Sequence, residues 1–311
     1  MSALAERLVL VSLLFALVFA GYTLAYCARD LKRVGHALSA FVFNIALPAM
    51  LFHLMSDLSG LPTVDVRLLL AFFGGCLLVF LVGRLVAARG FGLDGVSGSV
   101  FALGGVFSNN AMLGLPVARI MLGDAAIPAV ALVMVFNALI LWTLVTVSVE
   151  WARHGSFSWT GFARTTGKVL ANPIVMGVML GCLWALTGWE MPVSVHYGLD
   201  VLGNSTGPVA LVALGMSLAE FGVASGWRLS LAISGIKLLL QPMVVWLLAL
   251  ALGLPEIETQ AVVLLASMAV GANVYLMARQ FRALEGPVAS SLVLSTALAS
   301  VTTPLMLALT H

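Results

Sequence analysis

The sequence predicts an all-α polytopic membrane protein, with ten transmembrane helices arranged as two inverted five-helix repeats. Three observations carry this expectation. Hydrophobic residues make up 61% of the 311-residue chain and charged residues only 9%, against about a quarter charged in ordinary soluble domains. The apolar residues fall into blocks of about 20, the length a helix needs to cross a hydrocarbon core roughly 30 Å thick. A signature of asparagine and proline then recurs half a chain later.

The blocks run approximately over 8–26, 36–55, 67–88, 97–121, 127–149, 171–188, 196–219, 229–252, 259–281 and 287–309. No soluble domain fits between them. The longest connection, from Glu150 to about Leu170, carries Arg153, His154, Arg164 and Lys168 and reads as a hinge between halves, with room for an interfacial helix. The expected organisation is therefore a first repeat over 1–150, a cytoplasmic connection over 151–170 and a second repeat over 171–311. The first block, Leu8 to Tyr26, is too long for a secretory signal. It ends in Cys27-Ala28-Arg29-Asp30 without a small-residue cleavage pattern, so it is expected to be retained. Cys27, Cys76 and Cys182 have neither disulfide nor metal spacing and read as small buried hydrophobes.

Charge placement sets the expected orientation. Connections after odd-numbered blocks hold eleven of the Lys and Arg residues, among them Arg29, Lys32, Arg33, Arg84, Arg89, Arg153, Arg228, Arg279 and Arg282. The opposite face holds three, Arg7, Arg67 and Arg119. Cytoplasmic loops retain basic residues, which puts the odd connections inside and both termini on the periplasmic or extracellular side of the inner membrane. The net charge of +2 gives no argument for nucleic acid.

Asn44-Ile-Ala-Leu-Pro48 in the second block matches Asn204-Ser-Thr-Gly-Pro208 in the seventh, 160 residues on. Pro128 and Pro287 lie 159 apart, and Asn110 and Asn273 lie 163 apart. Five crossings per copy force the second copy to sit upside down, the arrangement that lets a secondary transporter exchange inward-open and outward-open states around one central site.

The fourth block reads Gly104-Gly105-Val-Phe-Ser108-Asn109-Asn110-Ala-Met-Leu-Gly114-Leu-Pro116, which predicts an unwound or kinked segment. The ninth repeats the idea as Ser267-Met-Ala-Val-Gly271-Ala-Asn273-Val-Tyr275. Where two interrupted helices cross, half-helix N-termini present free amide donors and a partial positive charge, which suits a carboxylate. The bland alternative is that Gly and Ser permit close helix packing and Asn bridges neighbours. Lys237, about eight residues into the eighth block and followed by Gln241-Pro242, is costly at that depth unless it is paired or snorkels to the cytoplasmic surface; both readings stay open. Asn137 and His53 read as structural.

These residues resemble the auxin efflux carrier family, which includes the plant PIN-FORMED exporters and bacterial malonate carriers. The resemblance covers essentially the whole chain. It rests on Asn44-x-x-Leu47-Pro48, on Ser108-Asn109-x-x-x-Leu113-Gly114-Leu115-Pro116, on Asn172-Pro173, on Leu211-x-x-Leu214-Gly215-Met216-Ser217-Leu218, and on Asn273 with Ala278-Arg279. It implies a scaffold domain and a transport domain, crossed discontinuous helices 4 and 9, and an organic anion held near the crossing by Asn109, Asn110 and Asn273. One departure is that Ala269-Val270-Gly271 stands where the family usually has proline, which predicts a less sharply broken ninth helix.

The expected substrate-binding set is Ser108, Asn109, Asn110, Pro116, Gly271, Asn273, Lys237, Asn44 and Asn204, with no catalytic residue, metal or cofactor. The expected function is alternating-access transport of a small mono- or dicarboxylate such as malonate or an auxin-like acid. Coupling to H+ or Na+ and a homodimeric assembly are left open. A bile-acid/sodium-symporter-like carrier is the nearest alternative. An intramembrane enzyme would need His-Glu-x-x-His, paired aspartates or a Ser-His dyad in the bilayer, and a sensor would need a soluble signalling domain.

Overall fold

The computed structural model describes residues 3–28, 31–57, 64–154, 171–221 and 226–310, and within them the side chains from Leu13 onward except those of Leu31, Lys32, Ala138 and His154. Residues 155–170 of the expected connection, with Arg164 and Lys168, lie outside the described residues, as does Arg29, whereas 151–154 continue a helix. The described residues are almost wholly helical: α1 (Ala3–Cys27), α2 (Leu31–Phe41), α3 (Leu47–Met55), α4 (Arg67–Phe91), α5 (Gly95–Gly104), α6 (Leu115–Leu122), α7 (Ile127–His154), α8 (Pro173–Thr187), α9 (Val193–Leu218), α10 (Trp227–Gly235), α11 (Gln241–Ala251), α12 (Glu256–Ser267), α13 (Ala272–Phe281) and α14 (Glu285–Leu309). Six helical stretches are long and apolar enough to cross a membrane: Arg33–Met55, Arg67–Phe91, Asp124–Arg153, Val193–Leu218, Trp227–Ala251 and Glu285–Leu309. Leu13–Cys27, Gly95–Gly104, Asn110–Leu122 and Pro173–Thr187 are shorter apolar helices. Large apolar side chains such as Leu70, Leu81, Leu186 and Leu247 stand exposed, as a chain bathed in lipid instead of water allows.

Three π-helical turns, Val42–Ala46, Asn110–Gly114 and Ile236–Leu240, each lead directly into a helix whose second residue is proline: Pro48, Pro116 and Pro242. Proline has no N–H to offer the carbonyl four residues back and its ring crowds that carbonyl. An extra residue in the preceding turn relieves the mismatch while keeping the helix continuous.

The chain divides into two compact units. Unit 1 comprises Met1–Val64, Ala111–Val135 and Lys168–Glu220. Here helices meet backbone to backbone. A Cβ on Gly215 would fall 1.9 Å from the Val18 carbonyl oxygen, and one on Gly21 would fall 2.3 Å from that of Val212, so α1 and α9 touch through their glycines. Gly177 and Gly181 bring α8 equally close to Pro48 and Phe52 of α3. Lipid is as apolar as leucine, so close contact and inter-helix hydrogen bonds carry association. Ser39 Oγ lies 2.9 Å from Ser217 Oγ, and the Thr206 hydroxyl, which donates to the Leu202 carbonyl of its own helix at 2.7 Å, stands 3.4 Å from the Ala46 carbonyl. The Leu-Gly-Met-Ser run thus places Gly215 against α1 and Ser217 against α2.

Unit 2 comprises Asp65–Asn110, Phe136–Gly167 and Phe221–His311. Gly83 of α4 packs on Ala102 of α5, and Gly104 and Gly105 admit Ile233 and Ile236. Asp94 caps α5, accepting from the Ser97 hydroxyl at 2.6 Å and from the Ser97 and Val96 amides at 3.1 and 2.9 Å, bonds that, the hydroxyl foremost, hold its carboxyl below the usual range. Ser99 joins Ser148 of α7 at 2.8 Å and accepts from Arg84 at 2.7 Å. Cys76 is buried as expected, whereas Cys182 is half-buried and Cys27 exposed; all three thiols are free.

Substituting Gly215→Ala forces α1 and α9 apart and is expected to lower Tm in detergent by several degrees, the effect of about 1–3 kcal/mol of overpacking. Gly198→Ala, in the same helix but with nothing within 4 Å of its Cβ position, leaves Tm unchanged or slightly higher. Equal shifts for the two variants would remove the close-packing account.

Candidate functional site

Within unit 2, α5 and α12 both stop short and are followed by extended backbone. Past α5, Val106 and Phe107 still donate to the Leu103 carbonyl at 3.0 and 2.9 Å, after which the chain straightens through Ser108. Past α12, Met268 is extended and Gly271 adopts φ −78°, ψ 143° before α13 begins. The two straight segments pair as an antiparallel bridge, Ser108 opposite Val270. The Asn109 amide donates to the Ala269 carbonyl and the Gly271 amide to the Phe107 carbonyl, both at 2.8 Å. Each interruption therefore satisfies the other's backbone, which apolar surroundings demand of any non-helical stretch. Gly271 is required by this closeness, since a Cβ there would meet the Ser108 carbonyl oxygen at 2.9 Å.

The ninth-block interruption is thus complete without proline, contrary to the expectation of a weaker break. Its cause is the pairing with residues 107–109, which a local reading does not see. The fourth-block interruption precedes Ser108 and ends at Asn110, and Pro116 lies beyond it in α6.

Carbonyls orphaned at the two helix ends find side chains from elsewhere in unit 2. Gln241 Nε2 donates to the Val106 carbonyl at 2.9 Å and contacts Cys76 Sγ at 3.3 Å. Lys237 Nζ donates to the Ala266 carbonyl at 2.6 Å and the Thr303 hydroxyl to the Ser267 carbonyl at 2.9 Å. Ser295 Oγ accepts from the Val270 amide at 3.0 Å. Lys237 is 0% exposed and does not snorkel. Its ammonium sits at the negative end of α12, where a cation is favoured, and among the described residues no carboxylate pairs with it. Lys237 and Gln241 are four apart on one helical face, so one helix serves both interruptions.

Around the bridge, Ser108, Asn109 and Asn110 are all buried. The Ser108 hydroxyl and both polar atoms of the Asn110 amide are buried with no hydrogen-bond partner. Leaving such a group unpaired costs about 1–3 kcal/mol, so these atoms call for a partner, such as a water or a bound solute, that the protein itself does not supply. Asn273 is half-buried in the first turn of α13, whose leading amides point out of the helix end with a partial positive charge. The combination offers amide donors and positive potential to a small anion.

The remaining expected residues lie in unit 1. Pro116 and Asn204 line a cavity of about 310 Å³ together with Met50, Arg119, Asp124 and Pro208. Asn204 Nδ2 donates to Asp200 at 3.2 Å. Asn44 is exposed in its π turn and donates back to the Ala40 carbonyl at 2.8 Å, a local bond that leaves it outside the cavity lining. The structure thus gathers Ser108, Asn109, Asn110 and Gly271 at one junction with Asn273 just beyond it, places Lys237 on the end of α12, and seats Pro116 and Asn204 elsewhere. Sequence reasoning missed Gln241 as a cap, with Ser295 and Thr303 beside it, and missed Arg119. The Lys-x-x-x-Gln-Pro spacing was the available signal for the first; the others are small or charged residues with no local mark.

Residues 8–156 and 163–307 match the family described as "Membrane transport protein". Over 315 residues the chain is 29% identical to a protein of Rhizobium meliloti (strain 1021) named "Putative malonate transporter", with 96% of this chain and 94% of that protein covered.

Gln241→Leu keeps the side-chain volume and leaves the Val106 carbonyl with only the weak Cys76 thiol donor at 3.9 Å. It is expected to destabilise by about 1–3 kcal/mol, read as a lower Tm without ligand. An unchanged Tm would show that this bond does not hold the interruption.

Proposed function

Because the chain belongs to the membrane transport protein family, that of the auxin efflux carriers, we propose that it is a secondary transporter of small organic anions, a mono- or dicarboxylate such as malonate. The observation that carries the reading is the junction of residues 107–109 with 269–271, where the Ser108 hydroxyl and the Asn110 amide are buried without partners. A carboxylate there accepts from Asn110, Asn109 and the leading amides of α13, with Asn273 beside it. Lys237, fixed on the end of α12, adds positive charge behind the site. The name of the Rhizobium relative supports the substrate class.

In this reading the chain crosses the inner membrane ten times, the helical pieces on either side of each interruption together making one crossing. The two five-crossing halves are inverted copies with both termini outside, in keeping with the basic residues on the odd connections. Exchange between inward-open and outward-open states then carries the anion across. The chain works as a carrier, not as an enzyme.

Uptake of labelled malonate into proteoliposomes is expected to saturate, and Asn110→Ala to lower kcat/KM about tenfold, equivalent to about 1.4 kcal/mol of lost binding. Flux equal to that of empty liposomes rejects the carrier reading. Flux unchanged in both Asn110→Ala and Asn109→Ala rejects the site. Replacing sodium by choline at a fixed proton gradient separates sodium coupling from the other modes.

A further inference from the structure

Arg119 stands on the wall of the unit 1 cavity, and nothing in the junction described above uses it. Its Nε donates to Asp124 Oδ1 at 2.9 Å and its Nη1 to the Gly203 carbonyl at 3.3 Å. A guanidinium carries five N–H donors in a planar fork, so these two bonds leave three donors unused among the described residues. The two partners differ in exposure. The Arg119 side chain is 24% exposed and that of Asp124 is 57% exposed, so the carboxylate is the more accessible member and the cation the more sheltered one.

An ion pair this exposed is worth about 0–1 kcal/mol, whereas a bidentate carboxylate on a sheltered guanidinium is held by two charge-assisted bonds. Space is available beside the fork. Gly203 and Gly207 of α9 line the cavity beside the arginine, and a Cβ on Gly203 would lie 4.0 Å from Nη1 and 3.4 Å from the Met50 side chain. Asn204 lines the same wall and spends one amide N–H on Asp200, which leaves its second N–H available. Pro208 in α9 cannot donate to the carbonyl of Asn204.

We infer that this cavity is a second carboxylate site, in which the terminal nitrogens of Arg119 grip a small carboxylate in bidentate fashion, Asn204 donates a further hydrogen bond, and Asp124 competes for the guanidinium as an exchangeable counter-ion. The inference rests on the carboxylate-carrier reading and adds to it a place where the anion is recognised in unit 1. Opposite roles for the two members of one ion pair follow directly. Asp124 weakens the anion and Arg119 binds it, whereas a pair that merely ties α6 to its following turn would be damaged alike from either side.

The test uses the full-length protein, with malonate binding measured at equilibrium and malonate flux measured in proteoliposomes. Asp124→Asn is expected to tighten binding severalfold. Arg119→Gln is expected to weaken it at least tenfold, and Arg119→Lys nearly as much, because a single ammonium cannot form the fork. Loss of binding in both Asp124→Asn and Arg119→Gln, or no change in either, overturns the inference, and so does wild-type affinity in Arg119→Lys. If Arg119→Gln does not fold, Asp124→Asn decides alone: tighter binding supports the site, and equal or weaker binding overturns it. Wild-type protein that neither binds nor moves malonate or related carboxylates defeats the carrier reading and this one together. Wild-type transport with unaltered Arg119 and Asp124 variants defeats this one only.

Discussion

Backbone amides and carbonyls that leave a helix among apolar side chains have no water to turn to, and unit 2 is organised around that constraint. Two helices stop, and the exposed peptide groups of each are consumed by the other across the Ser108–Val270 bridge. The remaining carbonyls draw Gln241, Lys237 and Thr303 inward, and the Val270 amide draws Ser295. A single extra polar residue would be a liability in such a place. Here every cap has an assigned backbone partner, and beside the bridge the Ser108 hydroxyl and both polar atoms of the Asn110 amide are buried without one. That contrast between satisfied backbone and unsatisfied side chains is what supports the proposed ligand site.

Proline acts differently in the two contexts. At Pro48, Pro116 and Pro242 the preceding π turn absorbs the missing donor and the helix continues. At the two true interruptions proline is absent, and pairing between distant segments does the work. The extra residue of the π turn before Pro242 also belongs to the helix that aims Lys237 and Gln241 at the two helix ends, so an accommodation to proline in one element supports an interruption in two others.

Lys237 and Arg119, both cations within apolar helices, are held in different ways. Lys237 is wholly buried on a carbonyl at a helix C-terminus, where the helix dipole offsets part of its desolvation. Arg119 is partly exposed on a cavity wall and is balanced by a more exposed aspartate. The first is fixed by covalent neighbours of the interruption it caps. The second keeps donors to spare and a partner weak enough to exchange.

The sequence alone determined the membrane character, because block length and charge depletion are properties of composition. It also located both interruptions to within a few residues, because glycine, serine and asparagine clustered inside an apolar run have few other uses, and the motifs identified the family. Gly215 and Ser217 were visible as a motif but not as the contacts with α1 and α2 that explain it. What only the tertiary structure decided was which distant groups meet. Residues 107–109 pair with 269–271 across more than half the chain, Lys237 ends on Ala266 instead of at the surface, and Asn44 turns back on its own helix while Asn204 faces a cavity shared with Arg119. Local propensity cannot carry such information, since hydrogen bonds between remote segments depend on register and packing that no window of sequence contains.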